Sequence, residues 1–422
     1  MPGGGVGAYS AAKGLACLTC GARYPLEPML GGCPACLAAG RPAILDVEYD
    51  LGPDDAAVLA EPGRGFWDYH RFLPVPDPDA VVTLGEGGSP LVPVEAAAGE
   101  TGAAEVWVKY EAVNPTHSWK DRTNAVAVAS ALHFGFEKVL ATSTGNHGVS
   151  VAAYAARAGT RGMILLPPSA PPLSEQEIRF FGAEVAVISD GNIVPLMAEL
   201  WRDHGWYISQ RNSPGVGGRP FGNPFGLEGY KTMSFEIFHQ LGGRAPDVVF
   251  VPVAGGDGTW GIYKGFRELH DLGLAAHVPR IVACQSSSGA PIVNAVEQRL
   301  DEVAPVETSS TIAFSIVDRQ SGDHALQAVR RSGGTAVAVS DAELVDAEDM
   351  LRRIGVCVEP SSAASLAALR AQARGGGSFG GETVVVIGTG AGIRWPATFE
   401  PFLSESHPVA GNLHSLEAVV AL

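Results

Sequence analysis

From Glu105 to Ile387 the chain alternates short apolar or alternating runs with helical patterns, often Ala- and Val-rich, several of them joined by turns rich in Gly, Ser, Thr or Asn, and no internal repeat is evident. EVWVKY at Glu105–Tyr110 alternates as a strand does, and Asp121–Phe134 has helical composition. KVLAT (Lys138–Thr142), Gly162–Leu166 and Glu184–Ile188 read as strands, with helices over Val149–Arg157, Glu175–Phe181 and Leu196–His204. After a Gly/Pro/Asn-rich stretch (Ser213–Gly226) the order resumes. Helices are expected at Tyr230–Gln240, Gly258–Leu269, Ala342–Ile354 and Pro360–Ala373, and strands at Val248–Pro252, Arg280–Cys284 and Thr383–Ile387. Strands that alternate with helices must lie parallel, because each crossover helix returns the chain to the same end of the sheet. The expected fold class is therefore α/β, with two doubly wound, mostly parallel sheets divided near residue 210.

Length and charge narrow the function. At 422 residues the chain exceeds one domain of ordinary size, and 46% apolar residues are ample for a core. With 29 Lys+Arg against 45 Asp+Glu the net charge is −16, which argues against nucleic-acid or anionic-membrane partners, since phosphate contacts need cations. No apolar run reaches the ~18 residues of a membrane span. The segment MPGGGVGAYSAAKG lacks a basic region followed by a long apolar stretch. A cytoplasmic protein is the expectation.

Four of the six cysteines, Cys17, Cys20, Cys33 and Cys36, form C-x2-C, twelve residues, C-x2-C. Two such knuckles can offer four thiolates to one tetrahedral ion, and the expectation is a structural zinc ribbon with no open position for catalysis. Reduced free thiols or a redox pair are the alternatives. Cys284 and Cys357 sit in apolar runs and read as small core residues.

Three strand-to-helix turns carry chemistry. In NPTHSWKDRTN (Asn114–Asn124), Lys120 stands beside Asp121 and Arg122 where a helix begins. A helix N-terminus and a neighbouring arginine disfavour a charged lysine, which helps it act as an amine nucleophile; a solvated charge cluster is the plain alternative. STGNHG (Ser143–Gly148) follows a strand, where open α/β sheets bind ligands and where helix N–H groups favour an anion; a simple Ser/Thr cap would look the same. AGGDGT (Ala254–Thr259) has glycines that would let backbone N–H groups close on a phosphate, yet it is neither a Walker loop nor GxGxxG. A fourth turn, GTGAG at Gly388–Gly392, could bring Thr389 to the same crevice.

Taken in order, LGEGGSPLVPV, EAVNPTHSWKDRTN, STGNHG, GLEGYKTMSFEI, PVAGGDGTWGIYKGF, EPSSAASLAAL and TVVVIGTGAG resemble the threonine synthase-like branch of the fold type II pyridoxal-phosphate enzymes. The resemblance runs from about Thr83 to Pro396. It implies pyridoxal 5′-phosphate as cofactor, Lys120 as the lysine of the internal aldimine and the base that moves the Cα proton, and Asn146 at the cofactor's ring oxygen. It further implies Gly255, Gly256, Asp257, Gly258 and Thr259 as the phosphate cup, and Thr389 facing the pyridine nitrogen. Ser143, Thr144, Gly145 and His147 would hold the carboxylate of a small amino-acid substrate. A hydroxyl at the ring nitrogen holds a proton less firmly than a carboxylate, so the implied chemistry expels a leaving group soon after Cα deprotonation. A homodimer is implied as well. The expected organisation is a zinc ribbon over 1–48, a large α/β domain over 49–120 with 211–410, a small one over 121–210, and a tail over 411–422.

The departures are specific. Threonine synthases usually read NPxRLEGQKT where this chain has Asn223–Thr232, NPFGLEGYKT, so an arginine that would bind a substrate phosphate is Gly226. Their TGNTxxS reads TGNHGVS, nearer to amino-acid dehydratases and ammonia-lyases. Asp257 brings a carboxylate into the cup and is expected to point away from the phosphate, or to cap a helix beginning near Thr259. Elimination with replacement on a β- or γ-leaving group is one expected function and dehydratase-type β-elimination the second. A catalytically silent zinc-ribbon binding protein is the alternative from another class.

Overall fold

The computed structural model describes residues 8–63, 65–143, 145–189, 193–210, 212 and 222–403. Its strands, in chain order, are β1 Ala12–Cys17, β2 Arg23–Tyr24, β3 Leu45–Tyr49, β4 Leu91–Pro93, β5 Glu105–Tyr110, β6 Lys138–Thr142, β7 Arg161–Leu166, β8 Glu184–Val187, β9 Tyr207–Ile208, β10 Val248–Pro252, β11 Arg280–Ser286, β12 Thr335–Val339 and β13 Thr383–Gly388. A six-stranded sheet has the order β12-β11-β10-β13-β5-β4, and a four-stranded sheet the order β8-β7-β6-β9. All pairings in these two sheets are parallel except the edge pair β4–β5. Every residue of β10 and β13 is buried, as continuous apolar runs such as VVFVP and TVVVI require when helices cover both faces.

Most expected elements coincide with observed ones. The differences lie at ends and in short pieces. Two helices begin earlier than the apolar pattern suggests, at Asn146 and Asp257, because polar and glycine residues of the turns enter the first helical turn. β12 and the helices Pro291–Glu297 and Asp323–Arg331 were not expected; each is short and lies among polar residues.

The catalytic-lysine candidate rides on a rigid element. The helix Lys120–His133 is buried from Asp121 to Ala131, and its Arg122 is completely enclosed. That guanidinium donates to Glu111 from Nε at 2.7 Å and to Glu236 from Nη1 at 2.7 Å, while Lys109 Nζ reaches the second Glu236 oxygen at 2.6 Å. Two cations and two carboxylates thus satisfy one another and join β5, the turn after it, and the helices Lys120–His133 and Lys231–Gln240. Arg122 is therefore engaged by carboxylates, and the expected influence of its charge on Lys120 is compensated.

The N-terminal strands form a three-stranded antiparallel sheet, order β2-β1-β3. Its Asp46 accepts from Trp260 Nε1 at 2.9 Å and Lys264 Nζ at 3.0 Å, which docks this sheet on the helix Asp257–Asp271. Among the described residues, no helix is long and apolar enough to cross a membrane.

Candidate active site

Lys120 is the first residue of its helix. The loop before it is held by the loop after β13: Trp119 N–H donates to the Thr389 carbonyl at 2.8 Å, and Ala391 N–H to the His117 carbonyl at 2.9 Å. Lys120 Nζ lies 3.2 Å from the Tyr230 hydroxyl and 5.7 Å from the Trp119 ring centroid. Tyr230 is buried, which pushes its phenol well above the usual range, with the charge of Asp257 adding to the effect. A neutral phenol therefore stands beside the amine. Beneath the loop, burial raises the Asp121 carboxyl to about 6 against hydrogen bonds from Ser150 and Thr116.

The turn after β6 meets the same loops. Gly145 precedes the helix Asn146–Ala158 and donates to Ser143 Oγ at 3.1 Å; Thr144 lies outside the described residues. Asn146 Nδ2 donates to Glu359 at 3.0 Å, while Arg394 Nη1 donates to Asn146 Oδ1 at 2.9 Å. Trp395 Nε1 also donates to Glu359, at 3.0 Å. Burial raises the Glu359 carboxyl despite these donors and the nearby charges of Arg394 and Lys120. His147 is turned to the Ser209 carbonyl, 2.8 Å from Nε2. A Cβ on Gly390 would fall 3.0 Å from Asn146 Nδ2, so the glycine turn after β13 lets these loops close up.

At the end of β10, Gly256 has φ 112° and a Cβ there would lie 2.5 Å from Ala325 Cβ, so only glycine fits. The helix starts at Asp257 rather than near Thr259, and the Asp257 side chain makes no cap. Its carboxylate accepts instead from Asn212 N–H at 3.0 Å and from His324 Nε2 at 2.9 Å. The Trp119 ring edge lies 2.4 Å from where a Gly258 Cβ would be, which brings the cup beside Lys120. Thr259 Oγ1 is buried with no hydrogen-bond partner among the described residues. Thr389 Oγ1 lies 2.8 Å from Ser362 Oγ, which also accepts from Gly390 N–H at 2.8 Å.

Direct contacts thus join Lys120, through Trp119, to Gly258 and Thr389, and join Asn146 to the turn holding Thr389. A cup of glycine backbone, the first N–H groups of a long helix and a threonine hydroxyl with no partner among the described residues suit a phosphate. Tyr230, His324, Glu359, Ser362, Arg394 and Trp395 were missed as site residues. Glu359, Ser362 and Tyr230 lay inside quoted motifs, but only the fold reveals what each one touches.

The cysteine cluster is separate. Cys17 ends β1, and Cys33 and Cys36 flank the start of the short helix Pro34–Ala38. The four sulfurs of Cys17, Cys20, Cys33 and Cys36 lie within 4.8 Å of one another, with Cys17–Cys36 and Cys20–Cys33 each at 3.7 Å. Burial opposes ionisation of Cys33, but hydrogen bonding by Tyr24 and the Cys36 backbone outweighs it and lowers this thiol to about 7. The donor set fits a soft tetrahedral ion.

Residues 82–390 match the family described as pyridoxal-phosphate dependent enzyme. The threonine synthase of Methanocaldococcus jannaschii is 35% identical over 391 residues, covering 90% of this chain and 92% of its own. That of Methanosarcina acetivorans is 35% identical over 415 residues, covering 96% and 98%. Among solved structures, maize serine racemase superposes with a TM-score of 0.62 at 20% identity, over 74% of this chain and 92% of that one. A fungal L-serine ammonia-lyase from Rhizomucor miehei gives 0.62 at 19% identity, over 75% and 99%. At these identities the two structures speak for the fold.

Proposed function

The chain belongs to the pyridoxal-phosphate-dependent enzyme family, and on that premise we propose that Lys120 is its catalytic lysine in a threonine synthase-like reaction. It is an enzyme that eliminates or replaces a leaving group on a small amino acid. Gly255, Gly256, Gly258 and Thr259, with the first N–H groups of the helix Asp257–Asp271, would hold the cofactor phosphate; Asn146 would donate to the ring oxygen and Thr389 would face the ring nitrogen. The bound cofactor supplies an electron sink for the charge left when the amino acid loses its Cα proton. Lys120 would hold the cofactor through Nζ and would take up and return that proton at the same atom. Ser143, Thr144, Gly145 and His147 would orient the substrate carboxylate. The observation that carries this reading is the meeting of turns from β5, β6, β10 and β13 around Lys120.

Titration with pyridoxal phosphate should produce a band at about 410–430 nm, and Lys120→Ala should abolish both band and turnover. Full activity in Lys120→Ala would overturn the assignment. A threonine synthase-like substrate is tested by phosphate release from O-phosphohomoserine. The second reading, β-elimination with ammonia release, is favoured by Gly226: a Cβ there would lie 2.8 Å from Thr123 Oγ1, so the position has no room for a phosphate-binding arginine. A screen of amino acids for keto-acid and ammonia release separates the two.

The same proposal includes a structural zinc held by Cys17, Cys20, Cys33 and Cys36, measured as about one equivalent per chain. A folded, metal-free protein would count against it. It also includes the homodimer, to be checked by sedimentation, and the division into ribbon, large domain and small domain.

A further inference from the structure

Asp257 is an anomaly in a loop assigned to a phosphate. The N-terminus of the helix Asp257–Asp271 stabilises a negative side chain as well as a bound anion, so a carboxylate and a phosphate placed there compete and repel. The fold supplies an answer from a segment that no motif marked. Gly322 N–H donates to the Gly255 carbonyl at 2.8 Å, and Ser321 Oγ to the Ala254 carbonyl at 2.6 Å. Residues Ser321–His324 therefore form a second wall of the loop Ala254–Asp257. The His324 ring packs against both glycines: a Cβ on Gly322 would lie 2.3 Å from His324 Nδ1, and one on Gly256 would lie 3.4 Å from His324 Nε2. The imidazole is fully buried, donates from Nε2 to Asp257 at 2.9 Å, and leaves Nδ1 without a partner among the described residues. Thr259 Oγ1, on the same helix start, is likewise buried and unpartnered.

We propose that His324 is a positioning residue of the cofactor site: its ring holds the Asp257 carboxylate by a hydrogen bond, so that the Gly255–Thr259 loop accepts a phosphate despite that carboxylate. The inference rests on the reading of that loop as the phosphate cup. Asp257 then acts as a tether: it fixes the Asn212 backbone and the His324 ring to the helix start, and its oxygens are engaged there rather than aimed at the phosphate.

The test is the dissociation constant of pyridoxal phosphate, read from the visible band of the full-length protein, in a cycle of His324→Gln, Asp257→Asn and the double variant. Circular dichroism checks that each variant folds. His324→Gln should weaken binding about tenfold, the effect of one partly screened carboxylate charge released toward a buried anion site. Asp257→Asn, which removes the carboxylate, should tighten it severalfold, and the double variant should bind as Asp257→Asn does, because no carboxylate remains for His324 to hold. Inorganic phosphate, competing with the cofactor, should follow the same order. If His324→Gln does not fold, Asp257→Asn decides alone: unchanged or weaker binding there overturns the proposal. Single variants that both bind as wild type, with the band forming normally, overturn it while leaving the Lys120 reading intact. A wild-type protein that forms no band overturns both.

Discussion

Gly258→Ala tests how the phosphate loop and the lysine loop are coupled. The new Cβ would lie 2.4 Å from Trp119 Cη2 and 2.5 Å from Cζ3. Ordinary carbon contacts begin near 3.5 Å, so the indole edge must retreat by about 1 Å. Trp119 has little freedom to do so. Its N–H is fixed to Thr389, its ring packs on Tyr230 at a centroid distance of 4.8 Å, and the next residue is Lys120. In stability the substitution has two opposing parts. Alanine in place of a helical glycine gains up to about 1 kcal/mol, and overpacking costs about 1–3 kcal/mol, so a net loss of about 0–3 kcal/mol is expected in urea unfolding. Function should suffer more, because a displacement of about 1 Å at a reacting group can cost roughly a hundredfold in rate. The assay is paired: unfolding free energy, and the position and affinity of the cofactor's visible band. Adding Trp119→Phe removes the indole edge and should restore the band if displacement of Trp119 is the cause. A Gly258→Ala protein with wild-type affinity and band position would refute the claim that this contact sets Lys120.

Arg122→Met leaves Glu111 and Glu236 buried with only Lys109 to offset them, so it should cost about 3–5 kcal/mol in chemical denaturation. Glu348 is raised to about 8, first by burial and then by the charge of Glu359, and its Oε2 has no partner among the described residues. Its folded pKa lies above the unfolded value, so its stabilising contribution is complete below about 4.5 and is lost as pH rises through about 8. Glu348→Gln should therefore be more stable than wild type at pH 9, by about 1–3 kcal/mol after allowance for residual solvent access, with the gain vanishing at acid pH in thermal melts. Removal of metal by a strong chelator should unfold the sheet β1–β3 and weaken its Asp46 contacts with Trp260 and Lys264, seen as loss of amide protection in Ala12–Tyr49.

The alternation of apolar runs and helical patterns by itself determined the α/β class, because a fully buried parallel strand such as VVFVP must be continuously apolar whatever its neighbours are. The spacing of Cys17, Cys20, Cys33 and Cys36 likewise determined that the four sulfurs would gather, since knuckle geometry is local. The ordered turns were also legible: strand-to-helix turns carry their glycines and hydroxyls wherever the sheet places them. Strand order was not. That β5 lies against β13 rather than β6 depends on long-range pairing, and this pairing brings Trp119 to Thr389 and Lys120 to the cup. The unannounced partners have the same origin. Glu359 and Asn146 are 213 residues apart and His324 and Asp257 are 67 apart, so no local pattern links them. Asp257 read alone is a carboxylate in the wrong place; in the fold it is hydrogen-bonded to a buried His324. Residue type and spacing fix which chemistry a turn can offer. Only the tertiary structure decides which charges face each other across it, because electrostatic energy depends on distance in space and on burial rather than on separation along the chain.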